Sequence, residues 1–188
     1  KSTVPPNTTK ALAEKYEARI VFNPEFLVER TAKEDFCNTK RVILGGDTIS
    51  TTKLKQFYSR VFPKAHIVKT DSTTAEMVKY LTNAFLASKV SIANEMYNIC
   101  QSLSIDYDKV IEYSIQDERL GYSHWAVPGP DGKFGFGGSC FPKDINAILC
   151  VAKMLSVDTP TLEGAWQTNI SVRPEKDWEE LKGRAVVE

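Results

Sequence analysis

What this 188-residue chain lacks closes off several classes of function. It has no net charge, since 24 basic and 24 acidic residues cancel, and so no positive excess to gather nucleic-acid phosphates or anionic lipid. No apolar run approaches the roughly 20 residues of a membrane-spanning helix. The opening KSTVPPNTTK also lacks the charged-then-apolar order of a signal peptide. A cytoplasmic protein with neither membrane nor nucleic-acid partners is therefore expected. Cysteine is sparse: Cys37, Cys100, Cys140 and Cys150 form no C-x-x-C pair and have only His66 and His124 to assist them, so a zinc site is not expected and the thiols read as reduced. No G-x-G-x-x-G occurs, and the glycines at 45–46 and 135–138 have the wrong spacing for a pyrophosphate turn. A dinucleotide is thus expected to bind this chain poorly on its own.

What is present is 42% apolar residues, enough for one good core or for one domain with part of another. Short β-rich runs at Arg19–Phe22, Arg41–Leu44 and Ile67–Lys69 alternate with helical spacing over Thr8–Tyr16 and Ile49–Phe62, the pattern of βαβ units on a parallel sheet. Three strands make only part of such a sheet. From Asp71 the pattern becomes helical. Thr73 and Glu76 have capping-box spacing, and Met77, Leu81, Phe85, Ile92, Met96, Ile99 and Leu103 continue an apolar stripe for about 30 residues. A helix that long is expected to pack on a second copy of the chain as well as on its own. Asp106 opens a shorter helix, and Lys143–Leu155 and Leu162–Ile170 read as two more. Between them, residues 121–139 hold six glycines and two prolines among aromatics, and irregular loops of that length are usually functional or disordered. Pro128 to Gly132 reads as surface punctuation. The charged tail from Arg173 has no evident place in a core.

The strongest chemical signal is GFGGSCFPKD, Gly135 to Asp144, where a glycine run delivers Cys140 to the start of a helix whose first turn tolerates Pro142. Amides at such a helix start favour a thiolate. Asp144, four residues on, falls on the same face, within reach of a water or substrate oxygen beside the sulfur. EMVKYLTN puts Glu76, Lys79 and Asn83 on one face of the long helix. FNPEFLVERTA, Phe22 to Ala32, lies at a strand end, where ligands collect in open α/β sheets.

Together with Ser2-Thr3-Val4-Pro5, these motifs resemble, in order, those of the UDP-glucose/GDP-mannose dehydrogenase family, and the resemblance runs from Lys1 to about Asn169. It implies the C-terminal half of a Rossmann-like parallel sheet over residues 1–71, and an all-α central dimerisation domain with one long helix over 72–170. Residues 171–188 would be a tail or the start of a further segment. It further implies a preceding βαβ half carrying the NAD fingerprint, a homodimer through the long helix, and NAD-dependent oxidation of a UDP-sugar, best UDP-glucose to UDP-glucuronate. The alternatives are GDP-mannose or an acetamido sugar as substrate, or, since the fingerprint is missing, a chain that alone is a catalytically incomplete dimerisation and substrate-domain fragment. In that chemistry Cys140 is the nucleophile that becomes a thioester, Lys79 and Asn83 stabilise oxyanions, and Asp144, Glu25 and Thr3 manage the water. Phe26, Leu27, Phe134, Phe136 and Gly137 would contact substrate. Ser2, Thr3, Glu29 and Lys143 would lie near the cofactor, and Glu76 caps a helix.

Overall fold

Val42, Ile43 and Leu44 are all buried, as a strand covered on both faces requires of a run with no polar alternation. They form β1 (Arg41–Gly45), which pairs in parallel with β2 (His66–Thr70) from Arg41 opposite His66 to Gly45 opposite Thr70. The computed structural model describes residues 1–181 and 183, apart from the side chain of Glu29, as two units, Lys1–Leu81 and Thr82–Glu188.

In the first unit α1 (Thr8–Lys15) and the short α2 (Ala32–Cys37) precede β1, and α3 (Thr48–Val61) connects β1 to β2. Asp47 caps α3 by accepting a hydrogen bond from the Ser50 amide at 2.9 Å. The strand period of two divides the core. Val42 and Leu44 pack with Phe62, Leu54 and Tyr58, whereas Ile43 packs with Phe22 and Ala75. The expected strand over Arg19–Phe22 is reduced to a single antiparallel bridge, Phe22 with Gly45. The chain cannot extend that ladder, because Pro24 has no N–H and the Asn23 side-chain amide already donates to the Ile43 carbonyl at 2.9 Å.

The long helix, α4, runs 31 residues from Ser72 to Ser102. The expected capping box is not what starts it. Asp71 is the cap, accepting from the Thr74 amide at 2.8 Å and its hydroxyl at 2.6 Å. With Ser72 as the first helical residue, Glu76 sits two positions too far along to reach back. Fully buried, it instead accepts from the amides of Asn7 at 2.7 Å and Thr9 at 2.8 Å, and so caps α1. The stripe from Met77 to Leu103 also differs from expectation. Every member is exposed, while the inward positions carry small and polar residues: Ala75, Lys79 and Tyr80 in the first unit, and Asn83, Ala84, Ala87, Ser91 and Asn94 in the second.

In the second unit Asp106 caps α5 (Tyr107–Ser114) as expected. α6 (Cys140–Met154) starts three residues earlier than its apolar pattern suggested, and α7 (Pro160–Val172) begins on the proline that the first helical position favours. Within the described part of the tail, two side chains are buried. Trp178, in a 3-10 turn over Asp177–Glu180, is buried against Trp166 with ring centroids 5.3 Å apart, and Arg173 is buried too. The Pro128–Gly132 turn is likewise more than punctuation, because Asp131 pairs with Arg173.

Candidate active site

Each unit gathers part of the predicted residue set. In the first, α4 presents Lys79 to the Asn23-Pro24 break, where its ammonium donates to the Glu25 carbonyl at 2.8 Å and lies 3.6 Å from the Glu25 carboxylate. The same ammonium is 5.4 Å from the Phe26 ring centroid, whose ring also carries the Arg41 guanidinium at 3.9 Å. Glu25 accepts from the Leu27 amide at 2.8 Å, which fixes the carboxylate over its own turn. Glu25, Phe26 and Leu27 line a cavity of about 570 Å³ together with Asn23, Tyr58 and Phe62. Thr3 is half-buried and precedes Val4, which packs on the Phe22–Ile43–Ala75 cluster, whereas Ser2 is exposed. The Glu29 side chain lies outside the described residues.

In the second unit Cys140 is the first residue of α6 and is exposed. One turn on, Asp144 is 1% exposed. Its carboxylate accepts from the Asn83 side-chain amide at 2.5 Å on one oxygen and from the Lys143 ammonium on the other. A buried carboxylate needs such partners. The carboxamide has two N–H groups, and Asp144 takes one of them. Chemically this is an exposed cysteine with an oriented, buried carboxylate one helical turn away.

The loop that delivers Cys140 is held by side chains that sequence reasoning did not single out. Asn94 accepts from the Gly135 amide at 3.1 Å. Asn169 on α7 accepts from the Phe136 amide at 2.7 Å and donates to the Phe136 carbonyl at 3.0 Å. Arg173 donates to the Phe134 carbonyl at 3.3 Å. Farther back, the Lys89 ammonium donates to the Leu120 and Gly121 carbonyls and sits 4.6 Å from the Trp125 ring centroid. One signal was readable: Ala84, Ala87, Ser91 and Asn94 recur at helical spacing, and a face of small residues invites close packing. Of the predicted aromatic contacts, Phe136 is 4% exposed and belongs to the core with Ala84, Ala87 and Ile145. Phe134, at 37%, has surface to offer and rests edge-on against Tyr97. Gly137 is half-buried.

The ionic cluster beneath this loop makes a testable pH dependence. The hydrogen bond from Arg173 holds Asp177 down at about 2, overcoming burial that acts to raise it, with Lys133 assisting. A carboxylate depressed below its unfolded value of about 3.9 adds stability that is complete above that value and disappears as pH falls through the folded one. Asp177→Asn is therefore expected to remove about 1–2 kcal/mol at pH 6 but little at pH 2. Urea unfolding of both proteins across pH 2–6 checks this, and an equal loss at both ends would contradict it.

Among the described residues of the first unit, the helix starts make no pyrophosphate cradle of the usual kind. Helix N-termini suit phosphate, but in the first unit the starts of α1, α3 and α4 are already occupied by the carboxylates of Glu76, Asp47 and Asp71.

Comparison with known proteins bears on the whole chain. Residues 1–65 match the family model described as UDP-glucose/GDP-mannose dehydrogenase family, NAD binding domain, and residues 73–171 match that family's central domain. The UDP-glucose 6-dehydrogenase TuaD of Bacillus subtilis is 36% identical over 177 residues, which cover 90% of this chain and 37% of that protein. Among solved structures, a UDP-glucose dehydrogenase of Pyrobaculum islandicum superposes with a TM-score of 0.79 at 34% identity, over 91% of this chain and 40% of that one. A UDP-D-ManNAc dehydrogenase of Pyrococcus horikoshii gives 0.72 at 26% identity, over 91% and 41%. The chain therefore spans about two fifths of the length of these relatives.

Proposed function

The chain belongs to the UDP-glucose/GDP-mannose dehydrogenase family, and we propose that the whole protein oxidises C6 of a nucleotide-linked hexose to a carboxylate, with UDP-glucose as substrate and NAD taking up the two hydrides released. The observation that carries this reading is the buried Asp144, one helical turn from the exposed Cys140 and held by the buried Asn83 and the half-buried Lys143.

In the proposed sequence the C6 hydroxyl first loses a proton and a hydride to become an aldehyde; the Cys140 thiolate adds to its carbonyl carbon, and the Asn83 amide proton not engaged by Asp144 steadies the resulting oxyanion together with Lys79. Loss of hydride from that adduct leaves a thioester. Water then adds to the thioester carbonyl, its proton passing to Asp144 or Glu25, and the Cys140 thiolate leaves as the carboxylate forms. Glu25 suits that task because it lines the cavity, with one carboxylate oxygen held by the Leu27 amide and the other 3.6 Å from the Lys79 ammonium. Thr3 is assigned to the same water, Phe26, Leu27, Phe134, Phe136 and Gly137 to the substrate, and Ser2, Glu29 and Lys143 to the neighbourhood of the cofactor. A second copy of the chain is proposed to cover the exposed face of α4, where Leu81 and Phe85 are 70% and 65% exposed. Sedimentation of the chain tests that part separately.

Turnover of UDP-glucose, GDP-mannose and UDP-ManNAc by the whole protein, read as NADH formation, decides among substrates. Cys140→Ser is expected to reduce acid formation by about three orders of magnitude or more, because the hydroxyl is far less nucleophilic than a thiolate. Wild-type turnover in that variant, or no NADH from any nucleotide sugar, would sink the proposal.

A further inference from the structure

Arg173 has no part in the chemistry just described, yet at 2% exposure it is among the most deeply buried side chains in its unit. A buried guanidinium is tolerated only with partners for its fixed fork of donors. Asp177 accepts from Nε at 2.8 Å and from Nη2 at 2.7 Å, Asp131 accepts from Nη2 at 2.8 Å, and the Phe134 carbonyl accepts from Nη1 at 3.3 Å. These bonds hold the head group against the glycine loop. A Cβ built on Gly137 would lie 2.5 Å from Cζ and 2.9 Å from Nε of Arg173, and its three nearest neighbours would all be atoms of that guanidinium.

The two adjacent glycines thus exist for different reasons. Gly138 has φ +68° and open space around it, so its backbone conformation explains it. Gly137 is not in the left-handed region, and what excludes a side chain there is the guanidinium. An arginine tip usually swings aside at little cost, but this one is clamped by two carboxylates.

We infer that Arg173 is a positioning residue for Cys140: locked by Asp131 and Asp177, its guanidinium fills the space beside Gly137 and fixes the Phe134–Gly138 turn from which α6 and its cysteine start. The inference rests on the reading of Cys140 as the nucleophile. It also gives the Pro128–Gly132 turn a task, since Asp131 supplies one side of the clamp.

The test is a double-mutant cycle on Gly137→Ala and Arg173→Ala. Its readout is the iodoacetamide alkylation rate of Cys140 in this chain, followed by peptide mass spectrometry against the exposed Cys37 and Cys150 as internal references. Each single substitution is expected to change the Cys140-to-Cys150 rate ratio by about tenfold, and the double variant no further, because without the guanidinium an alanine at 137 has room. Arg173→Lys, which keeps the charge but loses the fork, is expected to fall between. A ratio within twofold of wild type in Arg173→Ala, or effects of the two substitutions that multiply, would overturn the inference. If Arg173→Ala does not fold, Asp131→Asn, which opens one side of the clamp, must shift the ratio at least threefold, and no shift is equally decisive against it. Because alkylation requires no turnover, a shifted ratio alongside an active Cys140→Ser enzyme would remove the catalytic reading and leave the loop clamp standing.

Discussion

Gly45→Ala is expected to destabilise the Lys1–Leu81 unit by about 3 kcal/mol or more, at the upper end of what forcing extra atoms into a packed interior costs. The φ of Gly45 is not in the left-handed region, so an alanine is admissible to the backbone and the effect is purely steric. Its Cβ would lie 2.8 Å from the Asp71 carbonyl oxygen and 2.9 Å from the Ser72 Cα, and would also press on Ala75 Cβ. None of these is the movable end of a side chain. They are the first turn of α4, pinned by the Asp71 cap. Nor can Gly45 itself retreat, because it exchanges two 2.8 Å hydrogen bonds with Phe22 and is paired with β2 opposite Thr70. The strand or the helix start must give way. Gly46→Ala serves as the control, its Cβ meeting only the Ile20 carbonyl at 3.0 Å and Val21. With two units in the chain a single unfolding transition is not assumed, so the measurement is amide hydrogen exchange at Ile43 and Leu44. Exchange unchanged from wild type in Gly45→Ala would show that α4 can shift to make room.

Much of this architecture was legible in the sequence because it depends on short-range pattern. Val42–Leu44 reads as a covered strand, Asp106 as a cap, and the glycine run before Cys140 as a loop feeding a helix, and each is found so. The features that were not legible depend on which partner a group meets. Glu76 has the right chemistry for a cap, but which helix it caps is decided by Asn7, 69 residues away. The stripe on α4 has the period of a core face, yet the chain buries the opposite, alanine-rich face. Periodicity reports that a helix has two faces and gives no information on which neighbour each will meet. Trp178 and Arg173 sit in a segment that reads as a solvated tail because its charges are counted singly. In the fold Arg173 is neutralised by Asp131, 42 residues back, and by Asp177, one turn on. The candidate site divides along the same line. Cys140 and Asp144 are four residues apart and could be read together, whereas the Asn83–Asp144 contact is made across 61 residues, and the resemblance gave the two residues separate roles without pairing them.

Asn169→Leu is the second substitution with a large expected effect, and it probes the frame around Cys140 without touching the chemistry. Asn169 is fully buried, and its carboxamide closes a pair of hydrogen bonds on the Phe136 peptide, accepting at 2.7 Å and donating at 3.0 Å. It imitates a rung of a sheet where no strand is available. Leucine has the same branched outline, is larger and has no polar atom, so the substitution strands one buried N–H and one buried carbonyl. At about 1–3 kcal/mol for each unsatisfied group, the Thr82–Glu188 unit is expected to lose about 3–5 kcal/mol. Gly135 increases the dependence on this one residue. With φ +65° and Asn169 packed directly where its Cβ would be, the turn can neither take a side chain nor slide toward α7 to find another partner. Asn169→Asp separates the two bonds. At neutral pH it keeps an acceptor for the Phe136 amide but loses the donor and buries a charge, so it is expected to be no better than leucine. When protonated, the acid regains a donor, and burial favours that neutral form. The deficit relative to wild type should therefore shrink as pH falls from 7 toward 5, whereas that of Asn169→Leu should not. Parallel urea titrations at the two pH values read this directly. A leucine variant within about 1 kcal/mol of wild type would mean that the Phe136 peptide finds other partners, and that the cysteine loop is held by Asn94 and Arg173 alone.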